Sequence, residues 1–124
     1  MTLAPTETPL ADPQALARLH RWGGAKLIQE MAALFRSEAP TRLLIARQAT
    51  CRGDVDAVER AAHSLKSTCA QLGATRMHAL AHQAEMLSAQ GRLDDIGALL
   101  DHLERELVAF QEWLDVHASQ DHQT

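Results

Sequence analysis

The chain is poor in aromatic residues: 124 residues include no tyrosine, two phenylalanines and two tryptophans. β-Branched residues are also scarce, whereas Ala, Leu, Gln and Arg are plentiful, a usage that favours helix over sheet. An all-α fold is expected. Nowhere do eighteen apolar residues run together, as a membrane span requires, and residues 1 to 13 show neither a basic leader nor an apolar stretch of signal-peptide length. No membrane contact is therefore expected, and the cytoplasm is the expected compartment. A formal net charge of -4 without any basic stripe argues against a nucleic-acid partner, because such domains replace counterions with clustered Lys and Arg. Cysteine is limited to Cys51 and Cys69. The second lies on an apolar helical stripe, so free thiols are expected rather than a disulfide. Also missing are a glycine-rich phosphate loop and a strained nucleophile elbow. Their absence argues against ATP binding, self-phosphorylation and hydrolytic chemistry in a pocket of the chain's own. This length suits one domain with one core.

What is present reads as helices. Residues 1 to 11, with Pro5 and Pro9 among polar residues, are expected to form a flexible tail, and the domain proper spans 12–117. Asp12 followed by Pro13 is an N-cap with proline at the first helical position, opening a short helix with Leu16 and Leu19 to bury and an end at Gly23-Gly24. From Ala25 a second helix places Leu27, Ile28, Met31, Leu34 and Phe35 on one side, then Leu43, Leu44 and Ile45, with a kink expected at Pro40. It ends near Cys51 to Gly53. Asp54 caps a third helix that stops at Gly73, and Thr75 is expected to cap a fourth, through Gln90, with Met77, Leu80, Ala84 and Leu87 buried. Asp94 is expected to open a fifth. There Ile96, Leu99, Leu100, Leu103, Leu107, Phe110 and Leu114 form the cleanest apolar stripe in the chain. Residues 118–124 are expected to be a second flexible tail. Four long helices with short connections predict an antiparallel up-and-down four-helix bundle, with the short first helix as a lid across one end.

The third helix carries the chemistry. With each residue advancing about 100°, Val58, Ala61, Ala62, Leu65, Cys69 and Leu72 share one sector and His63 faces the opposite way, toward water. Glu59, Lys66 and Ser67 fall on the histidine's side, and Ala70 follows in the next turn. A neutral imidazole nitrogen can accept a phosphoryl group and pass it on. Lys66, three residues on, would disfavour the imidazolium by like charge and later lie near phosphoryl oxygens. The small side chains of Ser67 and Ala70 leave room for a partner's active site. Two metal-binding patterns compete with this. His78, His82 and Glu85 have a spacing that can hold zinc, but they fall on a face opposite the buried stripe and lack a fourth ligand. Glu59 with His63 is one residue too long for the Glu-x-x-His of di-iron bundles and points outward. No metal site is expected.

Ala62-His63-Ser64-Leu65-Lys66-Ser67, followed by Ala70-Gln71-Leu72-Gly73-Ala74, resembles the signature of histidine-containing phosphotransfer domains. In that family the pattern is Ala-His-x-Leu-Lys-Gly, and a Leu-Gly or Ile-Gly pair ends the helix. The resemblance runs from about Leu16 to Leu114. It implies a four-helix bundle in which His63 is the phosphorylated residue, Lys66 supports the phosphoryl group and Gly73 ends the helix. It also implies a phosphorelay carrier that exchanges phosphate with receiver-domain aspartates, without kinase activity or a cofactor of its own, the magnesium belonging to the receiver. Glu59, Ser67, Ala70 and Gln71 are then the expected partner-binding residues, and a monomer is expected. Serine at position 67, where the family usually has glycine, adds a hydroxymethyl group at the point of closest approach. An alternative reading is an adaptor that binds a receiver or another helical signalling protein without transfer. Retention of both His63 and Lys66 favours the carrier.

Overall fold

The computed structural model describes residues 8–121, without the side chains of 119–121. Most of the expected N-terminal tail and the last three residues of the expected C-terminal tail lie outside the described residues. Four helices are present: α1 (Pro13–Arg52), α2 (Val55–Leu72), α3 (Thr75–Ala89) and α4 (Ile96–Asp121), the last preceded by a 3-10 turn at Leu93–Asp95. Each packs on its sequence neighbour and α4 also closes onto α1, which makes the antiparallel four-helix bundle.

The two helices expected from residues 12 to 52 follow one another as α1, and their junction is Gly24, with φ 67 and ψ -163. That positive φ is open to glycine and costly for other residues, so the bend falls where the Gly23-Gly24 pair predicts it. Gly24 is the interior residue of α1 that leaves helical geometry, whereas Pro40 does not. The helix therefore runs through Pro40 without a break. The proline ring lies on the exposed side, where water can take over the carbonyl it leaves unbonded.

Three other local expectations change. Thr75 is the first helical residue of α3 rather than its cap; Ala74 holds the cap position, and the Thr75 hydroxyl donates to the Gly73 carbonyl at 3.2 Å. Asp94 falls inside the 3-10 turn, where the neighbouring Asp95 is held by Arg92 at 2.8 Å. Helix α4 continues through Asp121, and Ala118 packs against the core, so ordered helix passes the expected boundary at residue 117. Asp12 and Asp54 do cap their helices, accepting from Gln14 N–H at 3.0 Å and Ala57 N–H at 3.1 Å.

The core follows the apolar stripes. Ile28, Phe35, Leu72, Met77, Leu80, Ile96, Leu103, Phe110 and Leu114 are fully buried, with the Phe35 and Phe110 rings 5.1 Å apart. Truncating a buried ring of this kind to alanine costs about 3–5 kcal/mol. Along α1 the buried seam is Ile28, Ala32, Phe35, Ala39, Leu43, Ala46 and Ala49, whereas Leu34 and Leu44 are exposed. Alanines make that seam, so counting large residues alone set its direction slightly wrong. In α3, Ser88 is buried and its hydroxyl donates to the Glu85 carbonyl at 2.9 Å, while Leu87 packs at the edge.

The N-terminal arm of α1, residues 13–23, lies across the end of the bundle where α2 turns into α3. Asp12 N–H donates to the Gly73 carbonyl at 2.8 Å, and Ala15, Leu16 and Leu19 are buried beneath the arm. Gly73 has φ 74 and fits so closely that a Cβ there would stand 2.6 Å from the Ala15 Cβ. One glycine therefore both ends α2 and seats the lid. The cysteines are free, Cys51 exposed and Cys69 buried, and burial pushes the Cys69 thiol up to about 12. Among the described residues no helix is long and apolar enough to cross a membrane.

Candidate functional site

Helix α2 buries Val58, Ala61, Ala62, Leu65, Cys69 and Leu72, the six residues of its predicted stripe. That fixes the rotation of the helix and turns His63 outward, with 63% of its side chain exposed. Across the seam, α3 buries Met77, Leu80, Ala81 and Ala84. The residue after Ala84 is Glu85, on the flank of α3 that meets α2, and its side chain is only 19% exposed.

Glu85 joins the two helices through both of its oxygens. Oε2 lies 2.6 Å from His63 Nδ1, and Oε1 accepts from Lys66 Nζ at 2.6 Å. The Lys66 hydrogen bond, and then His63, hold the Glu85 carboxyl below the usual carboxylate range, against the opposing effect of burial. It is therefore ionised at neutral pH and can only accept hydrogen bonds. The short His63 contact then requires a proton on Nδ1, and in the neutral ring that tautomer carries its lone pair on Nε2, on the exposed side.

This differs from the expected role of Lys66 as a free like charge beside the imidazole. Its ammonium is half-buried and paired with Glu85, so its charge is already compensated in the resting chain. Glu85 is the residue of this cluster that sequence reasoning missed. It was grouped with His78 and His82 on a solvated face, because the direction of α2 from α3 is set by topology and not by the stripe of α3. His82 Nδ1 is 3.7 Å from Glu85 Oε1, beyond hydrogen-bond distance. His78 is half-buried, and burial, then Lys66 and His82, push its pKa down. Among the described residues no group of three His, Cys, Asp or Glu side chains is placed to hold a metal ion.

The other expected site residues divide between two depressions. Glu59 lines one of about 300 Å³ together with Arg60, His63, Ser64 and Glu85. Ala70 lines another of about 200 Å³, with Arg18 from the lid and His78 from α3. Ser67 and Gln71 are exposed on the same helix. The arrangement is an imidazole presented to solvent at a shallow depression, with an ionised carboxylate behind the ring and an ammonium one turn away. Such a surface suits group transfer with a second protein rather than turnover of a small molecule in an enclosed pocket.

Comparison with known proteins agrees with that geometry. None of the curated proteins compared matches the chain. Among solved structures it is similar to histidine-containing phosphotransfer protein B (HptB) from Pseudomonas aeruginosa PAO1, at 23% identity and a TM-score of 0.84, over 90% of this chain and 96% of that one. At that identity the likeness establishes the fold. A family model described as Hpt domain matches residues 30–113, a span that holds His63, Lys66 and Glu85 together. The chain belongs to the Hpt domain family, the histidine-containing phosphotransfer domains.

Proposed function

We propose that His63 is the phosphoacceptor through which this phosphorelay carrier of two-component signalling works. The observation that supports it is the pairing of His63 Nδ1 with Glu85 at 2.6 Å, which selects the neutral tautomer with its lone pair on Nε2, on a ring open to solvent. A receiver domain brings its aspartyl phosphate to that nitrogen. The Nε2 lone pair attacks phosphorus, the bond from phosphorus to the aspartyl oxygen breaks, and the electron pair leaves with the carboxylate. The ring keeps its Nδ1 proton, and the positive charge it gains faces the Glu85 carboxylate. No proton has to be lost, so the same step runs backward when a second receiver offers a free aspartate.

Lys66 is one turn from the ring and already within the cluster, so its ammonium can be shared between Glu85 and the phosphoryl oxygens once the group arrives. Glu59, Ser67, Ala70 and Gln71 meet the receiver around this centre. The magnesium that offsets the charge of the aspartyl phosphate is supplied by the receiver. In this reading the carrier acts as a monomer in the cytoplasm.

The test is transfer of radiolabel from a phosphorylated receiver domain in the presence of magnesium. The chain should acquire an acid-labile label, and His63→Gln should acquire none while keeping its circular dichroism and melting temperature, since an exposed side chain contributes little to the fold. Label persisting on His63→Gln would refute the assignment. Its appearance on His78 or His82 would move the acceptor to α3, and no label on the wild type with any receiver would favour a non-transferring adaptor.

A further inference from the structure

Lys66 shares its ammonium with Glu85, which leaves a place beside the incoming phosphoryl group for a second cation. We propose that Arg60 is that cation, contacting the phosphoryl oxygens as the group passes to or from His63; this rests on the reading of His63 given above.

Three observations converge on Arg60. Side chains on a helix lean toward its N-terminus, which carries the imidazole of His63 back over the turn that holds Glu59 and Arg60. All three residues line the same depression of about 300 Å³, with Ser64 and Glu85. The second observation is one of flank. Residues three before and three after a given position stand about 60° to opposite sides of it on a helix. Lys66 and Glu85 are on one side, where they take up Nδ1. Arg60 is on the other, the flank of His63 that Glu85 and Lys66 leave unoccupied, and it shares the depression with the ring whose Nε2 is not engaged by Glu85.

The third observation is charge. Arg36, Arg42, Arg47, Arg52, Arg76 and Arg92 are each bridged to a carboxylate. Arg60, among the described residues, forms no such bridge and is exposed; Arg18, Arg21 and Arg105 form none either, but Arg60 is the arginine that lines this depression. Glu59 is adjacent in sequence and so faces elsewhere on the helix. The depression thus has two carboxylates on its walls, Glu59 and Glu85, which repel an incoming phosphate dianion, and one guanidinium that nothing neutralises. A guanidinium presents a fork of N–H donors that matches two phosphate oxygens at once. As the phosphorus–nitrogen bond forms and the bond to the donor breaks, those donors hold the non-bridging oxygens, and Arg60 neither gains nor loses a proton.

The test separates contact with phosphate from contact with a protein. Phosphoramidate, which phosphorylates histidine directly with loss of ammonia, serves as a donor without a docking surface, and a phosphorylated receiver domain serves as a second donor. Arg60→Ala should slow labelling by both donors about tenfold, the order expected when one charge-assisted contact to a transferred group is lost. Arg60→Lys should recover part of the rate and Arg60→Glu should slow it further, all three with the wild-type melting temperature. An unchanged rate for Arg60→Ala with phosphoramidate would overturn the proposal, as would a loss seen only with the receiver, which would make Arg60 a protein-docking residue. Labelling of His63→Gln by phosphoramidate would instead overturn the acceptor assignment on its own.

Discussion

Glu85 and Glu106 occupy similar positions in the bundle, each projecting from one helix into a seam with its neighbour, and each holds one histidine and one long cation. Glu106 of α4 takes Arg76 of α3 at 3.0 Å and His102 of its own helix at 3.5 Å. Arg76 also donates to the Thr8 carbonyl at 2.8 Å, so this cluster fastens the segment before α1 to the α3–α4 seam. The chemical inventory is nearly that of the Glu85 cluster, but the outcome differs. His102 is 22% exposed and turns Nε2 toward its carboxylate, whereas His63 is 63% exposed and turns Nδ1 toward its own. One arrangement closes the ring against the fold, and the other leaves the far nitrogen open to a partner. Which nitrogen is engaged, and how much of the ring is left in water, separates a staple from a reactive group.

Substitutions at the two carboxylates should pull these roles apart. Glu85→Ala should slow phosphotransfer about tenfold, because the Nδ1 proton and the ring orientation lose their charge-assisted partner. Glu85→Gln should keep most of the rate, since a carboxamide oxygen still accepts from Nδ1–H. Single-turnover transfer measurements would decide this, and a Glu85→Ala protein with wild-type kinetics would make Glu85 a staple like Glu106. Glu106→Ala should do the reverse, leaving transfer unchanged and lowering stability by about 1–2 kcal/mol, since the half-buried Arg76 loses its carboxylate. A urea midpoint would show it.

The shifted titrations of Glu85 and His78 set a pH dependence. The Glu85 carboxyl is held low chiefly by the Lys66 hydrogen bond, so its stabilising effect is present above the ordinary carboxylate range and lost as pH falls through the folded-state value. The stability gap between wild type and Glu85→Gln should therefore narrow from pH 7 to about pH 3. His78 is pushed down mainly by burial, so its neutral form is favoured in the fold and stability should decline as pH drops below about 6.5. His78→Gln should flatten that part of the curve, and an identical curve would mean that the burial of His78 is energetically idle. The smallest effect is expected from Ser67→Gly, a stability loss of about 0.5 kcal/mol from glycine within a helix, with transfer equal or faster. A marked fall in transfer by the folded variant would give the serine hydroxyl a role of its own.

The parts of this structure that sequence could foretell are those governed by one helix at a time. The buried stripe of α2, the caps Asp12 and Asp54, and the bend at Gly24 depend on periodicity, on a side chain reaching its own backbone, or on a conformation other residues avoid. His63 was found the same way, by being opposite a stripe. Glu85 was not, because its partners belong to α2 and the stripe of α3 does not say on which side α2 lies. Arg60 passed unnoticed for a related reason: a free cation is recognised only after its neighbours are seen to be paired. Thr75 and Asp94 misled because a capping residue type one position from a helix start looks the same as one at it. Leu34 and Leu44 misled because the alanines that line the α1 seam carry little weight in a hydrophobic pattern.

The seating of the lid on Gly73 bears on the order in which the molecule comes apart. The arm is joined to the rest of α1 through Gly24, around which a side chain would meet open space, and is pinned at its start by the Asp12–Gly73 bond. Between those points Ala15, Leu16 and Leu19 bind it to the bundle, a far smaller apolar contact than Phe35, Phe110 and their neighbours make in the body. Segments with few buried contacts open at a lower free energy than the whole. Amide protons in residues 16–22 should accordingly exchange with solvent sooner than those around Phe110, on a separate cooperative event. That event uncovers the end of α2 at Gly73, one turn beyond Ala70, so a receiver covering Ala70 and Arg18 would slow the exchange and thereby report its own residence on the bundle.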